Sequence, residues 1–329
     1  MNIRTIVKEA LSVDTGGNLT SYLPSPLATE VIANIREQNM MRKMLRTFNQ
    51  PSRTWTKPKR GNHSTAFHIP DGVTATLTDM SASTVQWIAK KLMAYVLVDE
   101  EAVEDSQPDV IAQVMEEITA AIAEAEESAI LSGDTTHAAT APTPSAATTA
   151  NWYVRDARTM FDGIFTVAAS ADAATPVAGG GGVIDLDMFN VALYNLGKYG
   201  RNRANIVGLA PCDQAANLRM DSNLKNAGVS GQQLASFLTG LGTAGEGAGV
   251  VSLMYGFPIY EVPLAPEGHI VVLSKISPEI GDRRMIKFKD GEIIESDQRK
   301  YVVSERISLN YNWRDALCLI DNLSSTVAH

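Results

Sequence analysis

The side chains in this sequence that could do chemistry are its histidines, its cysteines, its glycine-rich runs and its carboxylates. His63, His68, His137, His269 and His329 are scattered. His63 and His68 lie in a stretch that reads as extended, where odd spacing puts them on opposite faces and makes no metal pair. Gly240-Leu241-Gly242-Thr243-Ala244-Gly245 matches the dinucleotide fingerprint letter by letter. A helical stretch precedes it and Glu246-Gly247-Ala248-Gly249 follows, whereas the phosphate-binding turn needs a strand before it and a helix after. Gly179 to Gly182 lacks the Lys and Ser or Thr that complete a phosphate loop. Glu116 and Glu117 are neighbours on a helical stretch and do not face each other. Cys212 and Cys318 stand far apart in apolar settings with neither metal nor disulfide spacing, and read as small buried hydrophobes. No nucleophile, base and orienting acid converge, so the expectation is a protein with no catalytic residues, cofactor or metal.

Charge is what the chain does offer. Between Glu37 and Asp71 there is no acid, while Arg42, Lys43, Arg46, Arg53, Lys57, Lys59 and Arg60 are all basic. From Asp99 onward the sign reverses: Glu100, Glu101, Glu104, Asp105, Glu116, Glu117, Glu124, Glu126 and Glu127 follow, and no Lys or Arg occurs between Lys91 and Arg155. The two stretches are complementary, although each alone is also what a solvated charged face looks like. The net charge of −9 argues against a grip on nucleic acid, which needs a basic face to displace counterions.

These charges are carried by recognisable elements. Val110, Ile111, Val114, Met115, Ile118, Ile122, Ala125 and Ala129 recur at three- and four-residue steps, giving an amphipathic helix over 107–133 with one apolar stripe and acidic flanks. Ser106 and Pro108 mark its start, and Gly133 is expected as a left-handed cap at its end. It is long enough to act as a spine. Before it come an arm over 1–26, a helix over 27–49 ending before Pro51, and a Thr-, Ser- and Gly-rich stretch over 50–84. Alternating runs at 65–69 and 73–78 flank Pro70-Asp71-Gly72 there, which reads as a projecting hairpin. Val85 to Val98 is expected as one strand. Beyond a loop at 135–150 the texture turns to mixed helix and strand: a helix from 151 to about 170, a helix capped by Asp185, strands at 205–210, 256–260 and 269–273, and a Gly-rich loop at 240–249. Tyr301 to Trp313 alternates cleanly and is long enough to return and pair beside the first strand. At 329 residues and 45% apolar content the chain can build substantial cores, and no stretch approaches the ~20 apolar residues of a membrane span. The cysteine usage suits a reducing cytoplasm.

The order of these pieces resembles a known family. An arm, a helix, a projecting hairpin, a strand entering Asp99-Glu100-Glu101-Ala102-Val103-Glu104-Asp105-Ser106, a spine closed by Ala129 to Asp134, an α/β region with Tyr255-Gly256-Phe257-Pro258-Ile259, and a late strand from Arg306 to Ala316 are similar to the major capsid proteins of tailed phages, the Hong Kong 97 fold. The resemblance spans nearly the whole chain and lies in order and spacing, not in any single motif. It implies an α+β fold: an N-terminal arm over 1–26, an E-loop hairpin over 50–84, a P-domain over 85–151 and 291–329 built on the spine, and a mixed α/β A-domain over 152–290. The segment 221–249 would be the loop at the symmetry axes. The implied function is a shell subunit forming pentamers and hexamers of an icosahedral head around double-stranded DNA, which it does not bind specifically. The implied partners are further copies of itself, a portal protein, a decoration protein and a scaffolding protein. Because the chain begins at Met1 with no acidic coiled-coil extension, scaffolding is expected as a separate protein. In such a shell Arg53, Lys57, Lys59 and Arg60 of the hairpin would face Glu100, Glu101, Glu104, Asp105, Glu116 and Glu117 on a neighbouring spine. Some shells of this fold join a hairpin Lys to a neighbour's Asn, and Lys57 or Lys59 stands in the corresponding region, though nothing in the sequence specifies the bond. A cellular, encapsulin-like container of the same fold enclosing enzyme cargo is the alternative, and a solitary α/β enzyme is a third reading.

Overall fold

In the computed structural model, residues 40–61, 65–74, 81–101, 110–136, 156–220, 250–294 and 297–324 are described. The expected arm, most of the expected helix over 27–49, the helix start at Ser106 and Pro108, Glu104 and Asp105, the loop from 137 to 150 and the Gly-rich segment over 221–249 lie outside them.

The first described elements are α1 (Met41–Met44) and β1 (Arg46–Asn49), so the helix expected to reach residue 49 gives way to strand. The reason is tertiary: β1 pairs in parallel with β10 (Pro278–Ile293), placing Thr47 opposite Ile280 and Phe48 opposite Gly281. The hairpin is present, but residues 65–69 are not among its strands, and the expected run at 73–78 lies outside the described residues beyond Thr74. Its strands are β2 (Thr54–Arg60) and β3 (Ala82–Ile88), antiparallel, with Trp55 opposite Trp87 and Lys57 opposite Val85. The aromatic cross-strand pair fixes this register where the Thr- and Ser-rich interior has nothing comparable. At the turn, Gly72 takes a φ of 83°, which glycine adopts without strain. The single strand expected over 85–98 is broken at Ala89, whose N–H donates to the Arg53 carbonyl. β3 thus stays with the hairpin, and β4 (Lys90–Asp99) joins a different sheet.

That sheet has the order β1-β10-β11-β4, where β11 is Gln298–Tyr311. As its alternation predicts, β11 returns to pair antiparallel with β4, Ile307 opposite Lys90 and Gln298 opposite Asp99. β10 has no counterpart in the sequence reading. Its outer half is rich in Arg, Lys, Asp and Glu because it stands in solvent, so it carries little of the apolar alternation that marks a half-buried strand. The spine helix α2 (Val110–Ser132) lies across the outer part of this sheet. Ile118 and Ile122 pack there on Val98, Tyr301 and Val303, and the 23-residue helix is about 35 Å long. Gly133 ends it, but not as a left-handed cap, since it is absent from the positive-φ residues. Glycine is required by close approach: a Cβ there would stand 2.2 Å from the Phe161 carbonyl oxygen.

The second sheet is mixed and six-stranded, in the order β5-β12-β9-β6-β8-β7. Its strands are β5 (Val177–Ala178), β6 (Ile206–Ala210), β7 (Val250–Met254), β8 (Phe257–Glu261), β9 (Ile270–Ser274) and β12 (Leu317–Asp321). Val207, Leu209, Val271, Leu273, Leu317 and Leu319 bury one face against α3 (Ile164–Ala168) and the end of the spine. Ile206, Val272 and Ile320 bury the other against α4 (Leu186–Asn195) and α5 (Cys212–Met220), with Phe189 and Leu218 contributing. Both faces are covered, so these strands read as unbroken apolar runs. Asp185 caps α4 by accepting from the Asp187 N–H. Of the helix expected from 151 to 170, the residues from 156 on form a 3-10 turn at Ala157–Thr159 and then α3, separated at Gly163, which approaches Gly133 closely; Met160, Phe161, Ile164 and Phe165 are nonetheless buried. Cys318 is buried on β12 and its thiol is pushed up to about 12 by desolvation, whereas Cys212 opens α5 in an exposed position, contrary to the expectation that both are core residues. No helix among the described residues is long and apolar enough to cross a membrane.

Candidate inter-subunit surface

The four hairpin bases have different surroundings. Lys57 is drawn into its own chain: its ammonium bonds the carboxylate of Glu279, which is buried on β10, and lies 4.0 Å from the ring centre of Phe48 and 4.5 Å from that of Trp87. Arg46 Nη1 reaches the same Glu279 at 3.4 Å. Gln50, fully buried, donates to the carbonyls of Arg53 and Trp87 and accepts from the Ser308 hydroxyl at 2.6 Å. Trp87 meets Phe48 edge-on at 5.7 Å. The root of the hairpin is therefore fixed to β10 and β11, and Lys57 is one of its fasteners. Arg53 and Arg60 are exposed and Lys59 is half-buried. On the acidic side, Glu100 pairs within the chain with Arg299 at 2.7 Å, while Glu101, Glu116 and Glu117 are exposed. Among the described residues no ion pair joins a hairpin base to a spine acid.

A second charged group was invisible in the sequence. Glu126 and Glu127, which read as part of the acidic face, are each only 2% exposed. Arg42 of α1 fills the space they bound: its Nε donates to Glu126 at 2.9 Å, its Nη1 to Asp282 of β10 at 3.0 Å, and its Nη2 lies 3.7 Å from Glu305 of β11. Glu127 accepts from the N–H groups of Met40 and Met41, at 3.3 and 3.2 Å, and so holds the start of α1. Burial pushes the Glu127 carboxyl up to about 7 and the Glu305 carboxyl up to about 8, and raises Glu126 against the opposing pull of Arg42. One guanidinium thus holds three elements together: spine, β10 and β11. The one sequence clue was that Glu126 and Glu127 sit between Ile122 and the run Ala129-Ile130-Leu131, where the apolar stripe widens.

The outer part of the four-stranded sheet has an uncovered side. Leu92, Ala94 and Val98 of β4 turn toward the spine, so the alternate residues Met93, Tyr95 and Leu97 turn away from it and are exposed. Lys300 stands over the Tyr95 ring at 4.8 Å. Met285 on β10 and Ile294 beyond it are exposed as well, and Phe288, opposite Val303, is exposed on the spine side of the sheet. Such clustering of large apolar side chains in solvent marks a surface made to be covered.

Known proteins place this architecture. The fold matches the capsid of a native GTA particle computed with C5 symmetry, with a TM-score of 0.67 at 17% identity, covering 96% of this chain and 99% of that one. It matches a chain of Mycobacterium phage Adephagia at TM-score 0.63 and 12% identity, covering 94% and 97% of the two chains. It also matches the capsid structure of the cyanophage P-SCSP1u at TM-score 0.62 and 13% identity, covering 97% and 98%. No curated protein matches the sequence. The family model described as the phage capsid family matches residues 20–207, more than half of the sequence. With the spine helix, the projecting hairpin and the two sheets in this arrangement, the chain belongs to the phage capsid family and has its Hong Kong 97-type fold.

Proposed function

We propose that this capsid protein assembles into the pentamers and hexamers of an icosahedral head that encloses the double-stranded DNA of a tailed phage, and that its role is structural and not catalytic. The observation that carries this reading is the uncovered side of the four-stranded sheet, where the large apolar side chains Met93, Tyr95 and Leu97 of β4 stand exposed. Stable association between subunits needs apolar burial on this scale, repeated over many copies. In this assignment β2 and β3 belong to the E-loop, the spine and the four-stranded sheet form the P-domain, and the six-stranded sheet is the A-domain. β10 then belongs with the P-domain, which moves the boundary between the two from residue 290 to about 278.

The hairpin reaches a neighbouring subunit, where its exposed base Arg53 faces acids such as Glu101, Glu116 and Glu117, with Glu104 and Asp105 nearby in sequence. Lys57 serves the fold of its own chain. Each exposed pair contributes at most ~1 kcal/mol, so these contacts orient subunits and let wrongly placed ones leave. The subunit is made in the host cytoplasm and works with a separate scaffolding protein, a portal and a decoration protein.

Two measurements test this. The chain expressed alone and imaged by electron microscopy should give shells, or rings of five and six; a clean monomer that stays monomeric with phage scaffolding protein added would overturn the reading, and particles holding a host enzyme and no DNA would favour a cellular container. Replacing Arg53, Lys59 and Arg60 together by Glu should leave the circular dichroism spectrum and melting unchanged while lowering shell yield by about tenfold or more. Normal yield from that variant would remove the hairpin charges from the assembly mechanism.

A further inference from the structure

A cavity of about 670 Å³ opens between the root of the hairpin and the body of the protein. Its walls include Lys57, Lys59 and Arg60 of β2, Lys198 and Tyr199 of the 3-10 turn Gly197–Gly200, and Trp313. The rings of Tyr199 and Trp313 lie 5.9 Å apart, with Lys198 Nζ 5.0 Å from the first centroid and Lys59 Nζ 5.8 Å from the second. Glu279 answers the charge of Lys57, but among the described residues no ion pair answers Lys59, Arg60 or Lys198. In a chain of net charge −9, three such cations around a concave aromatic site define a place that attracts anions.

The dimensions select the kind of anion. An α-helix with its side chains is about 10 to 12 Å across, and the major groove of duplex DNA alone is about 12 Å wide. An extended segment, narrower than either, can place its side chains in a cavity of this volume. The chain presents one at the far end of β10. Phe288, Asp290 and Glu292 share one face of that strand, with Lys287 and Lys289 on the other, and Ile294 follows at 87% exposure. Asp290 and Glu292 enter no ion pair among the described residues; Arg299, across the strand from Glu292, is engaged by Glu100. A strand face that sets two acids between Phe288 and Ile294 complements cations set over aromatic rings.

The two features of one chain cannot meet. The tip of β10 adjoins Gln298 and the cavity adjoins Trp313, at opposite ends of the 14-residue β11, about 40 Å apart. We propose that the cavity is a socket for a second copy of this chain, which inserts the far end of its β10 so that Asp290 and Glu292 meet Lys59, Arg60 and Lys198, and Ile294 packs on Tyr199 and Trp313. The proposal rests on the shell reading above and assigns Lys59 and Arg60 to this contact and not to a spine. Tip and socket are different surfaces, so the contact is head-to-tail and propagates from subunit to subunit until a ring or net closes.

Full-length chains carrying Lys59→Glu with Lys198→Glu, or Asp290→Lys with Glu292→Lys, are each expected to lose about tenfold in assembly yield while keeping their melting temperature. The fourfold variant, with both charges reversed, is expected to recover to within about twofold of the parent. A fourfold variant as defective as either pair overturns the proposal. A second arm does not require shells: a fluorescent peptide spanning Phe288 to Ile294 should bind the parent subunit at low salt and bind the Lys59→Glu, Lys198→Glu subunit about tenfold more weakly, and the peptide with Lys in place of Asp290 and Glu292 should not bind. Equal binding to both subunits overturns the socket whatever becomes of the shell reading. A socket that takes a short DNA duplex or an acidic scaffolding protein and rejects the peptide overturns the occupant. If the parent chain assembles nothing even with phage scaffolding protein added, the shell reading fails by itself and the peptide arm still decides the socket.

Discussion

Replacing Arg42 with methionine is expected to lower the unfolding free energy by about 3 kcal/mol, read from urea melts at pH 7.5. The side chain is the shared cation for Glu126 on the spine, Asp282 on β10 and Glu305 on β11. Methionine keeps much of the volume but leaves the carboxyl groups of Glu126, Asp282 and Glu305 without their cation, two of them almost without solvent, so that each must either take up a proton or stay charged with nothing to answer it. The penalty is that of stranding buried charge, and exceeds what a surface pair contributes. Arg42→Lys should recover only part of the loss, because a single ammonium cannot donate to Glu126 and Asp282 from the two edges that the guanidinium uses. A loss below about 1 kcal/mol for the methionine variant would show that the group is solvated and that α1 is held by packing alone.

The same group sets a pH dependence of defined sign. The carboxyls of Glu127 and Glu305 titrate near 7 and 8 in the folded chain, both raised mainly by burial, against an ordinary value near 4.5. A carboxyl whose value is raised by folding binds its proton more tightly in the folded state. The stability it supports is complete below about 4.5 and is lost as the pH climbs through 7 to 8. The groups facing Glu305 are Arg42 from α1, Glu126 from the spine and Asp282 from β10; Arg42 alone opposes the rise. The melting temperature is therefore expected to fall between pH 5.5 and 8.5. Glu305→Gln should flatten that slope and stabilise the protein at pH 8.5 by roughly 2 to 4 kcal/mol, since the amide stays neutral where the carboxylate must ionise in a buried site. A parent melting temperature that rises over this range, or a Gln variant that follows the parent curve, would contradict the assignment.

The architecture is legible in the strongest periodicities of the sequence and is not legible where tertiary partners decide. The spine was legible because Ile118 and Ile122 fall at helical spacing, and β11 because Ile307, Leu309 and Tyr311 alternate with Arg306, Ser308 and Asn310. β10 was not, since its outer half faces water and spends its positions on Lys, Arg, Asp and Glu. The hairpin was legible as a projection but not in its register, which depends on Trp55 meeting Trp87 across an intervening stretch whose own alternation drew the expected strands inward. At the surface, exposure of Arg53 and Arg60 follows from their polarity, whereas the attachment of Lys57 to Glu279 depends on a residue 222 positions away. The Arg42 group was hidden for the same reason: glutamates on a helix read as solvent-facing until a distant arginine is found among them.

The long sheet also says something about timing during synthesis. β4 is complete at Asp99, yet its hydrogen-bonded neighbour begins 199 residues later at Gln298, and β1 waits for Glu279 in the same way. Pairings of such high contact order form slowly, and on a ribosome adding about 5 to 20 residues per second they cannot form at all for the first ten seconds or more after β4 emerges. Through that interval the spine has no sheet to lie on and the hairpin has no fixed root. A nascent chain is therefore not competent to join a growing lattice, and recruitment is deferred until residue 307 has left the exit tunnel and the subunit can be added whole.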